Sequence, residues 1–405
     1  MIQSPVSIYI VHHPKCEEAA TLAKELFRWF RLGYLSGDSS AAGLPVYFRR
    51  DLFNSKVRPA IEFNEANQNV VVLLVDHQMV GDESWRFAIN NLVKDVDKEN
   101  RKRKKKRVLL LPVALHGSFY RTGSLYQKFN PIRLLDLTAD EMLATVRRAT
   151  TEATARMVRS TNANGVEPLQ VFLSHAKRDG TGIAECIRDG IRKFGQMEAW
   201  YDANNLPLGA TWEHRMEAAA KKDTAAMVTV VTDAYPTRPW CRREALLART
   251  PVPIDRKKCR IWKIQPVVAV HQPRENWVRG IPMLEGVPRA GWEEGCKLEH
   301  IERIVDRLAL EVLLNNVHRQ VAKQLEKSET ATANNKTCYV TWVPDAWSLT
   351  ATRHAMIHLK KDPNKIQRIV YPGYGLTHTE IAELDPFVKC FNAEAELVSF
   401  EEAWK

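Results

Sequence analysis

In the stretch YPTRPWCRREALLA, residues 235–248, an aromatic, a thiol and a carboxylate follow closely on a proline. Pro239 suits the first turn of a helix, where its missing N–H costs nothing. If a helix starts there, Trp240 and Glu244 stand four residues apart and share one face. The carboxylate is then expected in the first turn, where the helix dipole favours its ionised form. Such a face can hold a substrate, and it can equally be the start of an ordinary helix; spacing alone leaves both open. Cys241 lies beside Arg242 and Arg243, which are expected to lower its pKa, but no histidine stands near it in sequence to act as a base. His354 and His358 have the i,i+4 spacing of a metal-binding pair. No third ligand accompanies them, so an exposed helical face is expected. His12 and His13 follow an apolar run and read as loop residues.

These residues need a scaffold to position them. In the first region, apolar strands at 6–11, 44–48, 69–75 and 107–115 alternate with helices at 17–30 and 85–93. Such alternation implies a parallel sheet covered on both faces. A long helix over 137–160 follows, with Thr138 and Glu141 spaced as a capping box, and then a polar linker, TNANGVEP. The second region repeats the order: strand LQVFLSH, helix GIAECIRDGIRKFG, strand EAWYD, loop ANNLPLGATW, helix EHRMEAAAKKD, strand AAMVTVVTD, the opening stretch, and strand IQPVVAV. The amphipathic helix 299–325 closes it. NVVVLLVDHQMVGDESWRFAINNLV and AAMVTVVTDAYPTRPWCRREALLA share one pattern of strand, acid, loop, tryptophan and helix, as a degenerate internal repeat would. Four residues on from Trp85, however, stands Ile89. The tail from about 335 reads as a third, small α/β unit, with Thr377 and Glu380 as another capping box.

The 405 residues suffice for two or three domains, and 45% hydrophobic content can fill their cores. No apolar run approaches the ~18 residues of a membrane span, and the N-terminus lacks the layout of a signal peptide. Seven scattered cysteines without a CxxC point to reduced thiols and a cytoplasmic protein. Seven of the positive charges behind the net +11 sit in one run, Arg101 to Arg107. That run reads either as a solvated loop or as a contact for nucleic acid or another polyanion. It has no interleaved aromatics for stacking on single strands.

Three motifs carry a resemblance. VFLSHAKRD, WYDANNLPLGATW and WCRRE, in this order, resemble the boxes of a Toll/interleukin-1 receptor (TIR) domain of the bacterial kind, over about 169–325. The resemblance implies a flavodoxin-like α/β fold with parallel sheets. Together with the internal repeat, it implies two such domains in tandem, a degenerate one at 1–135 and a TIR domain at 168–326. A helical linker, 136–167, joins them, and a small C-terminal α/β domain follows at 335–405. Catalytic members of the family cleave the nicotinamide–ribose bond of NAD+, which serves as substrate with no further cofactor. On that implication Glu244 is the catalytic carboxylate and Trp240 a wall of the pocket. Phe172, Ser174 and His175 line the nucleotide site, while Asp202 and Trp212 flank a loop containing Leu206, Pro207 and Gly209. The products expected are nicotinamide with ADP-ribose or a cyclic form. TIR units of this kind assemble with one another, so a triggered effector of anti-phage defence is implied, its trigger a protein or nucleic acid meeting the basic run. The alternatives are a non-catalytic TIR scaffold and a nucleic-acid-associated effector. The first region lacks the glutamate and is expected to be inactive, although Asp51 after Arg49 and Arg50 leaves nucleotide binding open.

Overall fold

A computed structural model describes residues 3–32, 43–49, 61–102, 107–121, 123–159, 168–200, 224–272, 280–293, 295, 297–329, 336–373 and 376–404. The chain forms two compact units, 3–167 and 168–405. The first runs β1 (Ser4–Val11), α1 (Glu17–Phe27), β2 (Val46–Arg49), β3 (Ala66–Val75), α2 (His77–Gly81), α3 (Glu83–Arg101), β4 (Val108–Ala114), β5 (Ile132–Arg133) and α4 (Ala139–Arg159). Its sheet has the order β2-β1-β3-β4-β5, with every pair parallel. Val70 to Val75 are buried without alternation, because helices cover both faces of such a sheet.

Several expectations meet corrections here. Helix α3 starts earlier than its apolar pattern because Asp82 caps it, accepting from the N–H groups of Ser84 and Trp85 at 2.9 and 3.2 Å. The helix expected as a linker, α4, packs against α1, β3 and β4 within the first unit. Its start is the anticipated box, with the Thr138 N–H donating to Glu141 at 2.9 Å. His12 and His13 follow β1 as loop residues, as expected, yet both are buried, and the His13 ring lies 5.1 Å from that of Trp85. Of the basic run, 103–106 lie outside the described residues. Arg107 is buried and donates to Glu99 at 3.3 Å and to the Ala66 carbonyl at 3.2 Å. It is a structural cation, withdrawn from any polyanion surface. Asp51 also lies outside the described residues.

The second unit runs β6 (Gln170–His175), α5 (Thr181–Phe194), β7 (Glu198–Trp200), β8 (Ala226–Val231), α6 (Pro239–Arg249), β9 (Val252–Pro253), β10 (Ile261–Lys263), β11 (Val267–His271), β12 (Arg289–Gly291), α7 (Leu298–Ser328), β13 (Thr337–Val340), α8 (Ala346–His358), β14 (Arg368–Tyr371), α9 (His378–Lys389), β15 (Glu396–Ser399) and α10 (Phe400–Trp404). It holds two sheets. One has the order β12-β11-β8-β6-β7, all parallel, which is the arrangement of the first unit again. This is the flavodoxin-like order, with ligand crevices at the carboxyl ends of the strands where the winding reverses. The other is β15-β14-β13-β10-β9, parallel except at β9–β10.

The tail therefore does not build its sheet alone. After α6 the chain adds β9 and β10 to it and then returns to the first sheet as β11. Trp262, on β10, is 0% exposed and packs in one core with Cys338, Val340, Leu349, Ile369 and Phe391. The boundary expected between 326 and 335 divides this core. Helix α7, ~46 Å long at 1.5 Å per residue, packs against α5, β10, β11 and β13 and so serves both sheets. At its crossing with α5, a Cβ on Gly190 would lie 2.0 Å from Ile301 Cγ2; only glycine allows that approach.

Arg249, the last residue of α6, joins the two sheets electrostatically. Its Nη2 lies 2.5 Å from Asp345 Oδ2, and its Nε donates to the Met283 carbonyl at 3.2 Å. Burial pulls the guanidinium pKa down, and Asp345 opposes that shift. Asp345 also caps α8 through the Ser348 N–H at 2.7 Å. Removing one partner of a buried pair strands the other charge. Asp345→Ala is expected to lower stability by about 3 kcal/mol in urea unfolding. A second test concerns His318 of α7, whose Nδ1 donates to the Thr341 carbonyl at 3.1 Å and whose pKa burial pulls down to about 4. The unfolded chain takes up this proton near pH 6.5, the folded chain only near 4. Stability should thus fall as pH drops through that window, by roughly 3 kcal/mol. Urea midpoints at pH 7 and 4 check it, with His318→Gln removing this component.

Candidate functional site

Strands β6 and β8 are neighbours at the centre of the first sheet of this unit, and their carboxyl ends carry the site. Asp179, in the turn after β6, accepts from the Thr232 hydroxyl at 2.6 Å and from the Ala234 N–H at 2.9 Å. These bonds tie the two strand exits together. Gly180 closes the turn: a Cβ there would meet the Ala176 carbonyl oxygen at 3.1 Å. A short 3-10 turn, Tyr235–Thr237, then leads into α6, which begins at Pro239 as its spacing predicts.

Glu244 is 8% exposed, and one of its oxygens, Oε2, accepts from the Ser174 hydroxyl. Ser174 Oγ is also 2.7 Å from Tyr235 Oη, which in turn lies 3.2 Å from the Cys241 carbonyl. The carboxylate occupies the second turn of α6 and not the first as expected. The helix starts only at Pro239, which makes Glu244 its sixth residue, and the dipole effect fades beyond the first turn. Hydrogen bonding from β6 holds the group instead.

Glu244 lines a cavity of about 460 Å³ together with Phe172, Leu173, His175, Ala176, Lys177, Arg178, Arg238, Pro239, Trp240 and Cys241. That volume lies in the usual range for small-molecule sites. Lys177, Arg178 and Arg238 are exposed, which gives the cavity a cationic mouth. The Arg243 guanidinium sits 5.3 Å from the Trp240 ring centroid, a cation–π contact that fixes the indole. Ser174, 1% exposed, stands behind the cavity wall and supports Glu244.

The structure thus brings Phe172, Ser174, His175, Trp240 and Glu244 together, while Asp202, Leu206, Pro207, Gly209 and Trp212 lie outside the described residues. Sequence reasoning missed Tyr235 and the three cations. An aromatic inside the polar loop TDAYPTRP was the available signal, since so large a ring is usually buried. In the first unit Val11, Trp85 and Ile89 share one apolar core. His354 and His358 lie on an exposed face of α8. Among the described residues no three His, Cys, Asp or Glu side chains are grouped to hold a metal.

Cys241 reverses its expectation. It is buried, its Sγ donates to the His175 carbonyl at 3.6 Å, and burial followed by the Glu244 charge pushes its pKa up to about 12. The neighbouring arginines do not offset this.

A family model for the TIR domain matches residues 171–284, which contain the entire cavity lining. No curated protein matches the chain. A TIR domain supports a role in TIR-type signalling or NAD+ cleavage, and it suggests self-association. No described helix is long and apolar enough to cross a membrane. For Cys241, alkylation of the native chain at pH 8 should label exposed Cys390 while leaving Cys241 unmodified; peptide mass mapping reads the outcome.

Proposed function

We propose that the TIR domain matched at 171–284 cleaves NAD+ between nicotinamide and ribose, with Glu244 as the catalytic carboxylate. The observation that supports this best is a buried carboxylate at the wall of a cavity with a cationic mouth and an indole beside it. In the reaction the C1′–N1 bond breaks and its electron pair stays on the ring nitrogen. Nicotinamide then leaves neutral, so no general acid is required, whereas an ordinary glycoside needs two carboxyl groups. The ribosyl centre left behind is cationic. A fixed carboxylate in a site of low dielectric stabilises it more than water would. Water adds its oxygen to C1′ and releases a proton, giving ADP-ribose; attack by an adenine nitrogen gives a cyclic product. Lys177, Arg178 and Arg238 suit the pyrophosphate, and Trp240 and His175 suit the walls around the rings.

The first unit has the same strand order, and in it Ile89 stands four residues beyond Trp85 within an apolar core. These features support a second, degenerate TIR-like domain without hydrolase chemistry. On this reading the chain is a cytoplasmic effector of anti-phage defence that acts when TIR units assemble; the resemblance to bacterial effectors supports that role. NAD+ in bacteria expressing the chain should fall upon phage infection. With Glu244→Gln the loss should slow by about 100-fold or more. Unchanged NAD+ in infected, defended cells that contain the protein would favour a non-catalytic scaffold.

A further inference from the structure

Tyr235 is 0% exposed and stands apart from the cavity lining, yet its hydroxyl meets the side chain that holds Glu244. The polarity of the contact follows from counting protons. Ser174 has one, and it is directed at Glu244 Oε2. At the 2.7 Å contact between the two hydroxyls the tyrosine must therefore donate. The same hydroxyl also donates to the Cys241 carbonyl, at the longer distance of 3.2 Å, so its proton is shared between the two acceptors. Burial, and next the Glu244 charge, hold the Tyr235 pKa well above its ordinary value, so the hydroxyl keeps its proton. The result is a chain of donors, Tyr235 to Ser174 to Glu244, in which each bond polarises the next.

We propose that Tyr235 is a positioning residue for the Glu244 carboxylate, acting through Ser174 and never touching substrate. The turn Tyr235–Thr237 precedes α6, so the same residue sets both the entry of the helix and the aim of its carboxylate. A ring without the hydroxyl would still fill the slot, but the serine would lose the partner that orients it. The kinetic part of the test rests on the reaction proposed above; the spectroscopic part does not.

The test uses the full-length chain with Tyr235→Phe, and Ser174→Ala as the second variant. Infrared difference spectra against Glu244→Gln isolate the carboxylate stretch of Glu244. That band should shift in both variants, because the group loses or weakens a donor. In NAD+ cleavage, kcat should fall about tenfold, the equivalent of about 1.4 kcal/mol, with KM changed less than about twofold. A variant with wild-type kcat, or with an unmoved band, overturns the proposal. Should Tyr235→Phe fail to fold, an unmoved band in Ser174→Ala overturns it equally. If the wild-type chain leaves NAD+ intact, the proposed reaction fails, while the band still decides the donor chain.

Discussion

Taking a carboxylate out of water costs several kcal/mol unless hydrogen bonds replace the lost solvent. Glu244 meets that condition through Ser174, a residue seventy positions earlier on β6. Much of the second unit can be understood as the arrangement this bond requires. Strand β6 must lie beside β8 so that the serine reaches the helix that follows. The turn after β6 must stay close to the exit of β8, which Asp179 ensures through two bonds to it. Helix α6 must begin at a defined residue, and Pro239 sets that start. A shift of one residue would rotate the carboxylate by about 100° around the helix axis and away from its donor.

The other end of α6 is held as firmly. Arg249 stands five residues beyond Glu244 and is locked to Asp345, the N-cap of α8, a helix whose Leu349 and Met356 pack in the core of the second sheet. One short helix is thus pinned at its start by a proline and a 3-10 turn, in its middle by Ser174, and at its end by an ion pair. Helix α7 adds a rigid support that both sheets share. Placement of a reacting group to a fraction of an ångström demands such multiple fixing, because small misplacements are costly in rate.

Much of this was legible in the sequence where a periodicity or a cap carries the signal. The apolar runs ending at Val75 and Val231 gave the central strands, and Thr138 and Thr377 marked helix starts that the structure retains. The face shared by Trp240 and Glu244 followed from Pro239. What was hidden depends on contacts distant along the chain. Strands β9 and β10 have two and three residues, too few for an alternation to register, and their sheet is chosen by Trp262 finding a core formed by the tail. His13 reads as a loop residue beside Pro14, but the Trp85 ring draws it inward. Arg107 belongs by composition to a solvated run, and its partners, Glu99 on α3 and the Ala66 carbonyl, lie outside that run. Tyr235 sits in a loop without periodicity, where the aromatic residue type is the one local hint of burial.

The insertion of β9 and β10 between α6 and β11 also bears on the order in which the protein comes into being. Chains emerge from the ribosome amino end first, and domains fold as their parts become available. Trp262 is made more than seventy residues before β13, the strand beside which β10 is to lie. Until then one face of β10 has no core, and Arg249 has no Asp345 to neutralise it. The helix that carries Glu244 is therefore secured at its far end only after Asp345 has been made. A nascent chain that has not yet reached Asp345 holds every residue of the cavity lining and still lacks the ion pair that fixes the far end of α6.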